Sequence, residues 1–259
     1  MIQEERRRLI KEIIEQDNSV NVSDLQERFQ VSVMTIWRDL KFLEKNGGIQ
    51  RVRGGAVKRI SDPETEPFFE SKQTIYNQQK KLIAHYTVNR FVHENDIIIL
   101  EGGTTVAYMV PHLIQSDLTI ITNGLNILTH AERHLCRSAV MSCGGILRDR
   151  SHTFVGPQAE VFFSGIRAHK FFLGATGINI SDGITDPSPL EIQIKRVMHR
   201  SAEQTILLLD SSKFGIRSLS QIIPLEEIDV LVTDEGAPQE ILADLAALGI
   251  EIHIARPVS

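Results

Sequence analysis

Cysteine is scarce in this chain. Its 259 residues include only Cys136 and Cys143, whose spacing makes neither a C-x-x-C pair nor a zinc ribbon. They fit reduced thiols in a cytosolic protein. Long apolar runs are also missing. The longest are short, such as Ile97 to Leu100 and Ile206 to Leu209, whereas a membrane helix needs about 20 apolar residues. The opening MIQEERRR is charged where a secretory signal would be apolar. A cytoplasmic chain with no membrane partner is therefore expected. There is no nucleophile elbow, no kinase signature and no internal repeat. Composition has no extremes: 42% hydrophobic and 24% charged residues exclude disordered, collagen-like and disulfide-scaffold classes. The length suits one large domain or two small ones.

What is present is an uneven distribution of charge. Residues 1–60 hold 12 Lys+Arg against 9 Asp+Glu, and the remainder holds 16 against 24. The positive excess narrows to Arg38, Lys41, Lys45, Arg51, Arg53, Lys58 and Arg59, set against only Asp39 and Glu44. Such asymmetry points to a polyanion partner for the amino-terminal part, with ordinary surface scatter as the plain alternative.

Periodicity within that part favours the partner. Leu9, Ile10, Ile13 and Ile14 recur at helical spacing, so residues 3–16 read as an amphipathic helix ended by Asp17, Asn18 and Ser19. Ser23 can cap a second helix with Leu25 and Phe29 inward, and Gln30-Val31 makes a tight turn. Ser32 then caps a third, with Val33, Ile36, Leu40 and Leu43 on one face, stopped by Asn46, Gly47 and Gly48. Two short helices joined by a tight turn are a helix-turn-helix signature. The outer face of the third carries Met34, Thr35, Arg38 and Lys45, with Trp37 and Lys41 at its edges. Arg and Thr near a recognition-helix start can read base edges, while Lys41 and Lys45 suit phosphates. The following IQRVRGGA reads as a β-ribbon wing with Arg51 and Arg53 outward. The expected DNA-contacting set is thus Ser32, Met34, Thr35, Trp37, Arg38, Lys41, Lys45, Arg51 and Arg53. A lone charged helix would read as a solvated face; this order of elements is what a winged helix-turn-helix requires.

The run VSVMTIWRDLKFLEKNGGIQRVRGGA resembles the amino-terminal domain of the DeoR family of bacterial transcriptional regulators. The resemblance rests on Ser32, Thr35-Ile36, Arg38-Asp39-Leu40, Leu43-Glu44 and Gly54-Gly55-Ala56. Trp37 stands where the family usually has a basic or polar residue, and Arg53 where it often has His. Trp37 fits either a contact to thymine methyls or packing against the wing.

Residues 59–75 are punctuated by Pro63 and Pro67 and read as a linker, in which Phe68 and Phe69 dock on one domain. This divides the chain into a winged helix-turn-helix domain at 1–58, the linker, and a larger domain at 76–259. In the larger part, strand-like runs at Ile97–Leu100, Leu118–Thr122, Ala139–Ser142, Phe171–Gly174, Ile206–Leu209, Val230–Thr233 and Ile250–Ala255 alternate with helical patterns such as Val106–Ile114 and Pro238–Leu248. The alternation predicts an α/β domain with a mainly parallel sheet and helices on both faces.

In such folds ligands bind beyond the carboxyl ends of the strands. Glu101-Gly102-Gly103-Thr104-Thr105 follows the first strand. Its glycines permit close backbone approach, and its N–H groups and hydroxyls suit a phosphate. It is neither a Walker loop nor G-x-G-x-x-G, and alone it reads as an ordinary turn. Thr122-Asn123-Gly124, Gly144-Gly145 with Arg148 and Arg150, Gly183 to Asp186, Glu191, Lys195 and Lys213 follow later strands. Their recurrence at one edge points to a site for a small polyhydroxylated anion. Taken by spacing alone, Glu191 and Lys195 are an i, i+4 surface ion pair, and Lys213 is equally a solvated loop lysine.

EGGTT, TNG, FFLGATGI, the Glu191/Lys195/Met198 spacing, DSSKF and the segment 229–234 are similar to the DeoR sensor domain. That resemblance implies a fold like ribose-5-phosphate isomerase and a phosphorylated-sugar effector. Glu101 replaces the usual Asp, and Gln79-Lys80 the common Glu-Lys pair. The expected effector set is Glu101, Gly102, Gly103, Thr104, Thr105, Thr122, Asn123, Gly124, Gly144, Gly145, Asp186, Glu191, Lys195 and Lys213. His130 and His134 are spaced to share a metal, but Ala131 breaks H-E-x-x-H and no third ligand is fixed. No metal or other cofactor is expected. The leading function is an effector-controlled transcription factor, a repressor of a carbohydrate operon, acting as a homo-oligomer on operator DNA. An isomerase with a DNA-binding appendage would use Glu101 or Asp186 as base and Lys195 to stabilise an enediolate. A nonspecific DNA binder would show nearly equal affinity for all duplexes.

Overall fold

The computed structural model of the protein describes residues 2–17, 19–45, 49–52, 54–58, 66, 68–115, 117–135 and 137–257. Chain contacts divide it into two compact units, residues 1–72 and 73–259.

The first unit runs α1 (Gln3–Asp17), β1 (Ser19–Asn21), α2 (Val22–Phe29), α3 (Val33–Lys45), β2 (Ile49–Val52) and β3 (Gly55–Lys58). Ile10, Ile14, Leu25, Ile36, Leu40, Ile49 and Ala56 bury together as its core. The helix faces read from spacing are largely those buried, with one correction. Val33 is 43% exposed, because at the first residue of α3 it precedes the turn that packs inward. β1 was not expected. It pairs antiparallel with β3, and β3 with β2, in the order β1-β3-β2. Ser23 is not the cap of α2, which begins one residue earlier; the Val22 N–H is instead taken by the Gly54 carbonyl at 2.9 Å. Gln30 makes the turn in the left-handed conformation. The stop signal Asn46-Gly47-Gly48, Asn18, Pro63 and Pro67 lie outside the described residues.

Of the expected linker, Phe69–Thr74 is helical (α4), with Phe69 buried and Phe68 exposed. The second unit continues with α5 (Asn77–Phe91), β4 (Ile97–Leu100), α6 (Thr104–Ala107), β5 (Thr119–Thr122), α7 (Leu125–His134), β6 (Ala139–Ser142), β7 (Ile146–Arg148), β8 (Thr153–Val155), α8 (Pro157–Ser164) and β9 (Ala168–Leu173). It ends with β10 (Gly177–Asn179), β11 (Gly183–Asp186), α9 (Pro189–Arg200), β12 (Ala202–Leu208), β13 (Ser220–Gln221), β14 (Val230–Asp234), α10 (Gln239–Ala247) and β15 (Glu251–Ala255).

The seven strand runs read from the sequence form one parallel sheet, ordered β15-β14-β12-β9-β4-β5-β6. Successive residues face opposite ways, as the period of two requires. Ile99, Phe171, Leu207 and Leu231 join a core with α8, α9 and α10. Ile98, Leu100, Phe172, Ile206 and Val232 join another with α5, α6 and α7. Among the described residues no helix is long and apolar enough to cross a membrane.

The helix expected over Val106–Ile114 is broken. α6 stops at Ala107, and a 3-10 turn follows over Val110–His112. Pro111 has no N–H and its ring would clash with the Ala107 carbonyl, so the α-helix cannot continue. The hairpin β7–β8 and the three-stranded β10-β11-β13 sheet lie apart from the main sheet.

Candidate functional site

In the first unit, α3 is anchored from its rear. Asp39 is fully buried and accepts from Arg6 Nε at 2.7 Å and Arg7 Nε at 2.8 Å. The Arg7 guanidinium also lies 3.8 Å over the Phe42 ring, a cation–π contact. These ties fix how α3 is turned relative to α1, so its opposite side faces water. Ser32 accepts the Thr35 N–H at 3.2 Å, and their hydroxyls meet at 2.9 Å, which caps the start of α3. Met34 is 72% exposed, and Arg38 and Lys41 are exposed. Trp37 is half-buried against the helical core. Arg51 is not simply outward: its Nε meets Glu44 Oε2 at 2.6 Å, and its N–H meets Glu44 Oε1 at 2.9 Å. Glu44 thereby ties the wing to α3. Arg53 and the Lys45 side chain lie outside the described residues.

In the second unit the carboxyl edge of the sheet carries a buried ionic network. β4 leads into Glu101, whose Oε2 accepts from Gly103 N at 2.9 Å and Gly174 N at 3.3 Å. Asn123 Oδ1 accepts Gly102 N at 3.0 Å, and Asn126 Nδ2 donates to the Gly102 carbonyl at 3.0 Å. Thr122 Oγ1 donates to the Leu100 carbonyl at 2.7 Å and accepts Gly124 N at 2.9 Å. The β4 and β5 loops are thus stitched together. Gly102 and Gly124 are back to back: a Cβ on Gly124 would stand 2.7 Å from Gly102 Cα. Close packing accounts for these glycines before any ligand is considered. Thr104 and Thr105 are buried at the start of α6.

α9 brings the remaining charges. Ser188 caps it by accepting Glu191 N at 3.4 Å. Lys195, two turns in, donates to Asp186 Oδ2 at 2.5 Å and to the Gly174 carbonyl at 2.9 Å, and lies 3.3 Å from Glu101 Oε1. Asp186 also accepts from Thr176 N at 2.9 Å. Burial alone would push the Lys195 ammonium toward neutrality; the carboxylates of Asp186, Glu101 and Glu191 overcome this and raise its pKa above the ordinary lysine value.

The surface ion pair read from spacing is corrected here. Both Glu191 and Lys195 are buried. Glu191 Oε1 accepts from Arg148 Nη1 at 2.7 Å, from Ser151 Oγ at 2.6 Å and from Thr153 Oγ1. The i, i+4 pattern gives the face of α9 but not what covers it.

Of the expected effector residues, Glu101, Gly103, Asp186 and Lys195 share one set of hydrogen bonds and ion pairs, Gly102, Thr122, Asn123 and Gly124 join the loops beside it, and Glu191 is held by the β7–β8 hairpin. Gly144 and Gly145 make the turn into β7, both with positive φ. Lys213 ends a 3-10 turn after β12 and is half-buried. Sequence reasoning missed Asn126, Ser151, Thr153 and Thr176. It also missed the role of Lys80, which is fully buried, donates to the Ile75 carbonyl and pairs with Asp210 Oδ2 at 3.0 Å. Its signal was available: a lysine in the inward register of α5 beside Ile83 and Ala84. His130 and His134 stack with centroids 6.3 Å apart; Cys136 lies outside the described residues.

Comparison with known proteins covers both units. A family model described as a DeoR-like helix-turn-helix domain matches residues 6–61, and one described as a DeoR C-terminal sensor domain matches residues 76–235. The HTH-type transcriptional regulator YulB of Bacillus subtilis is 37% identical over 91% of this chain and 90% of its own length. The transcriptional repressor AccR of Agrobacterium fabrum is 31% identical over 90% of each chain. Among solved structures, ribose 5-phosphate isomerase A of Methanocaldococcus jannaschii aligns over 55% of this chain and 56% of its own, at 14% identity and a TM-score of 0.39. At that distance it carries no argument about the site.

Proposed function

The chain belongs to the DeoR family of transcriptional regulators, and from that membership we propose that it represses a carbohydrate-metabolism operon in answer to a phosphorylated sugar. α3 lies in the major groove of operator DNA. Thr35 and Arg38 meet base edges, Met34 makes apolar contact, and Ser32, Lys41 and Lys45 meet the backbone with Arg51 and Arg53 of the wing. Two half-sites need two such units, so the active species is a homo-oligomer. The effector lodges at the carboxyl edge of the sheet, over the Glu101–Thr105 loop, where the carboxylates accept sugar hydroxyls.

The observation that carries this reading is the division of α3. Ile36, Asp39 and Leu40 are wholly buried, whereas Met34, Arg38 and Lys41 stand in water with no core to cover.

The test is retention of promoter fragments by the full chain, with and without hexose, pentose and triose monophosphates. Selective retention that changes with one of these esters is expected, and Arg38→Ala should lose the selectivity while keeping the melting temperature. Equal retention of unrelated duplexes would instead identify a nonspecific binder. Isomerisation of an ester above background would identify an enzyme.

A further inference from the structure

Lys195 and Arg148, two of the cations at the carboxyl edge, differ in kind: the first is buried and the second half-buried. The Lys195 side chain is 6% exposed and answers two carboxylates, Asp186 and Glu101. The Arg148 side chain is 19% exposed and meets Glu191, itself 5% exposed. Glu101 and Asp186 both lie on Lys195, whereas Glu191 lies on Arg148. A phosphate dianion at Lys195 would stand beside Glu101 and Asp186 as well. Approaching Arg148 it meets a planar cation, which suits phosphate by geometry as well as charge.

Arg148 reaches this group from the β7–β8 hairpin, which lies over the loops after β4 and β5. Phe154 N donates to the Asn123 carbonyl at 2.7 Å, and Leu125 N to the His152 carbonyl at 2.8 Å. A Cβ on Gly102 would stand 2.4 Å from Thr153 Cγ2. The same hairpin presents Ser151 and Thr153 to Glu191. Arg148 is therefore held at the rim of the loops by a carboxylate from α9.

We propose that Arg148 receives the anionic group of the effector, and that Glu191 is the positioning residue that aims its guanidinium. This rests on reading the carboxyl edge as an effector site. It places the phosphate on the side where the hairpin covers the loops, away from Lys195. The inner carboxylates are left to the sugar hydroxyls.

The test uses the full chain, titrated with hexose, pentose and triose monophosphates, inorganic phosphate and the parent sugars. Arg148→Gln is expected to weaken the best phosphate ester about tenfold or more, the loss of a charge-assisted contact, and to change the parent sugar by less than about twofold. Arg148→Lys should fall between, and carries the same comparison if the glutamine variant fails to fold. Glu191→Gln should reproduce the ester-selective loss in weaker form, which a merely structural role would not do. Unchanged ester affinity in Arg148→Gln, or equal loss for ester and parent sugar, overturns the assignment while leaving the effector reading intact. Failure of every ester to bind the unaltered protein sinks the effector reading and this assignment together.

Discussion

At Lys195 burial and ion pairing oppose each other, and the geometry decides between them. A lone ammonium removed from water would cost several kcal/mol, which the paired carboxylates must offset. Asp186 at 2.5 Å and Glu101 at 3.3 Å do so, and they hold the pKa above the ordinary lysine value of 10.5. The sign follows. A raised lysine pKa gives stability that is fully present below the unfolded value and is lost only as pH rises through the folded one. Neutral pH therefore leaves this contribution intact. Lys195→Met keeps the length but leaves two buried carboxylates facing each other, so it should destabilise the second unit by about 3–5 kcal/mol. Adding Asp186→Asn should recover part of that loss. Thermal melting of the single and double variants checks both, and an unaltered melting temperature in Lys195→Met would show that the network contributes no net stability.

Elements were legible where one residue type repeats and obscure where a single contact decides. All seven strands of the parallel sheet showed in the sequence because each is a short run of β-branched or apolar residues between polar loops. Strand β1 was hidden. Ser19-Val20-Asn21 has no apolar alternation, and it forms because β3 offers it an edge. Its trace was the Gly54-Gly55-Ala56 run, which reads as a turn but has a second cause. A Cβ on Gly55 would stand 2.0 Å from the Val20 carbonyl oxygen, which is backbone and cannot swing aside. Gly55→Ala should therefore push β1 off β3 and destabilise the first unit by about 1–3 kcal/mol through overpacking. Operator affinity should fall with it, and circular dichroism melting beside a DNA titration would detect both. The carboxyl-edge site was half legible in the same sense. Its acidic and basic residues could be placed at strand ends, but the hairpin bringing Arg148, Ser151 and Thr153 to Glu191 could not, since no local pattern records which loop folds over which.

At the scale of the whole molecule, the proposed function gives the chain two ligands, and thermodynamics constrains how they affect each other. If the effector prefers one state of the chain and operator DNA another, each changes the other's affinity by the same factor. A coupling of about 1–3 kcal/mol corresponds to roughly 5- to 150-fold. The prediction is a closed cycle. The ratio of operator affinities measured with and without a saturating sugar phosphate should equal the ratio of sugar-phosphate affinities measured with and without a saturating operator duplex. Both must be taken at one salt concentration, because phosphate contacts make DNA affinity steeply salt-dependent. Thr104→Ala bears on the same cycle. If the loop after β4 contacts the effector, the variant should bind it more weakly, yet its operator affinity without effector should match that of the unaltered chain. A cycle that fails to close would mean that the sugar phosphate acts through something other than binding, such as turnover or a change of oligomeric state under the assay conditions. Equal effector affinity in Thr104→Ala and the unaltered chain would remove that loop from the coupling.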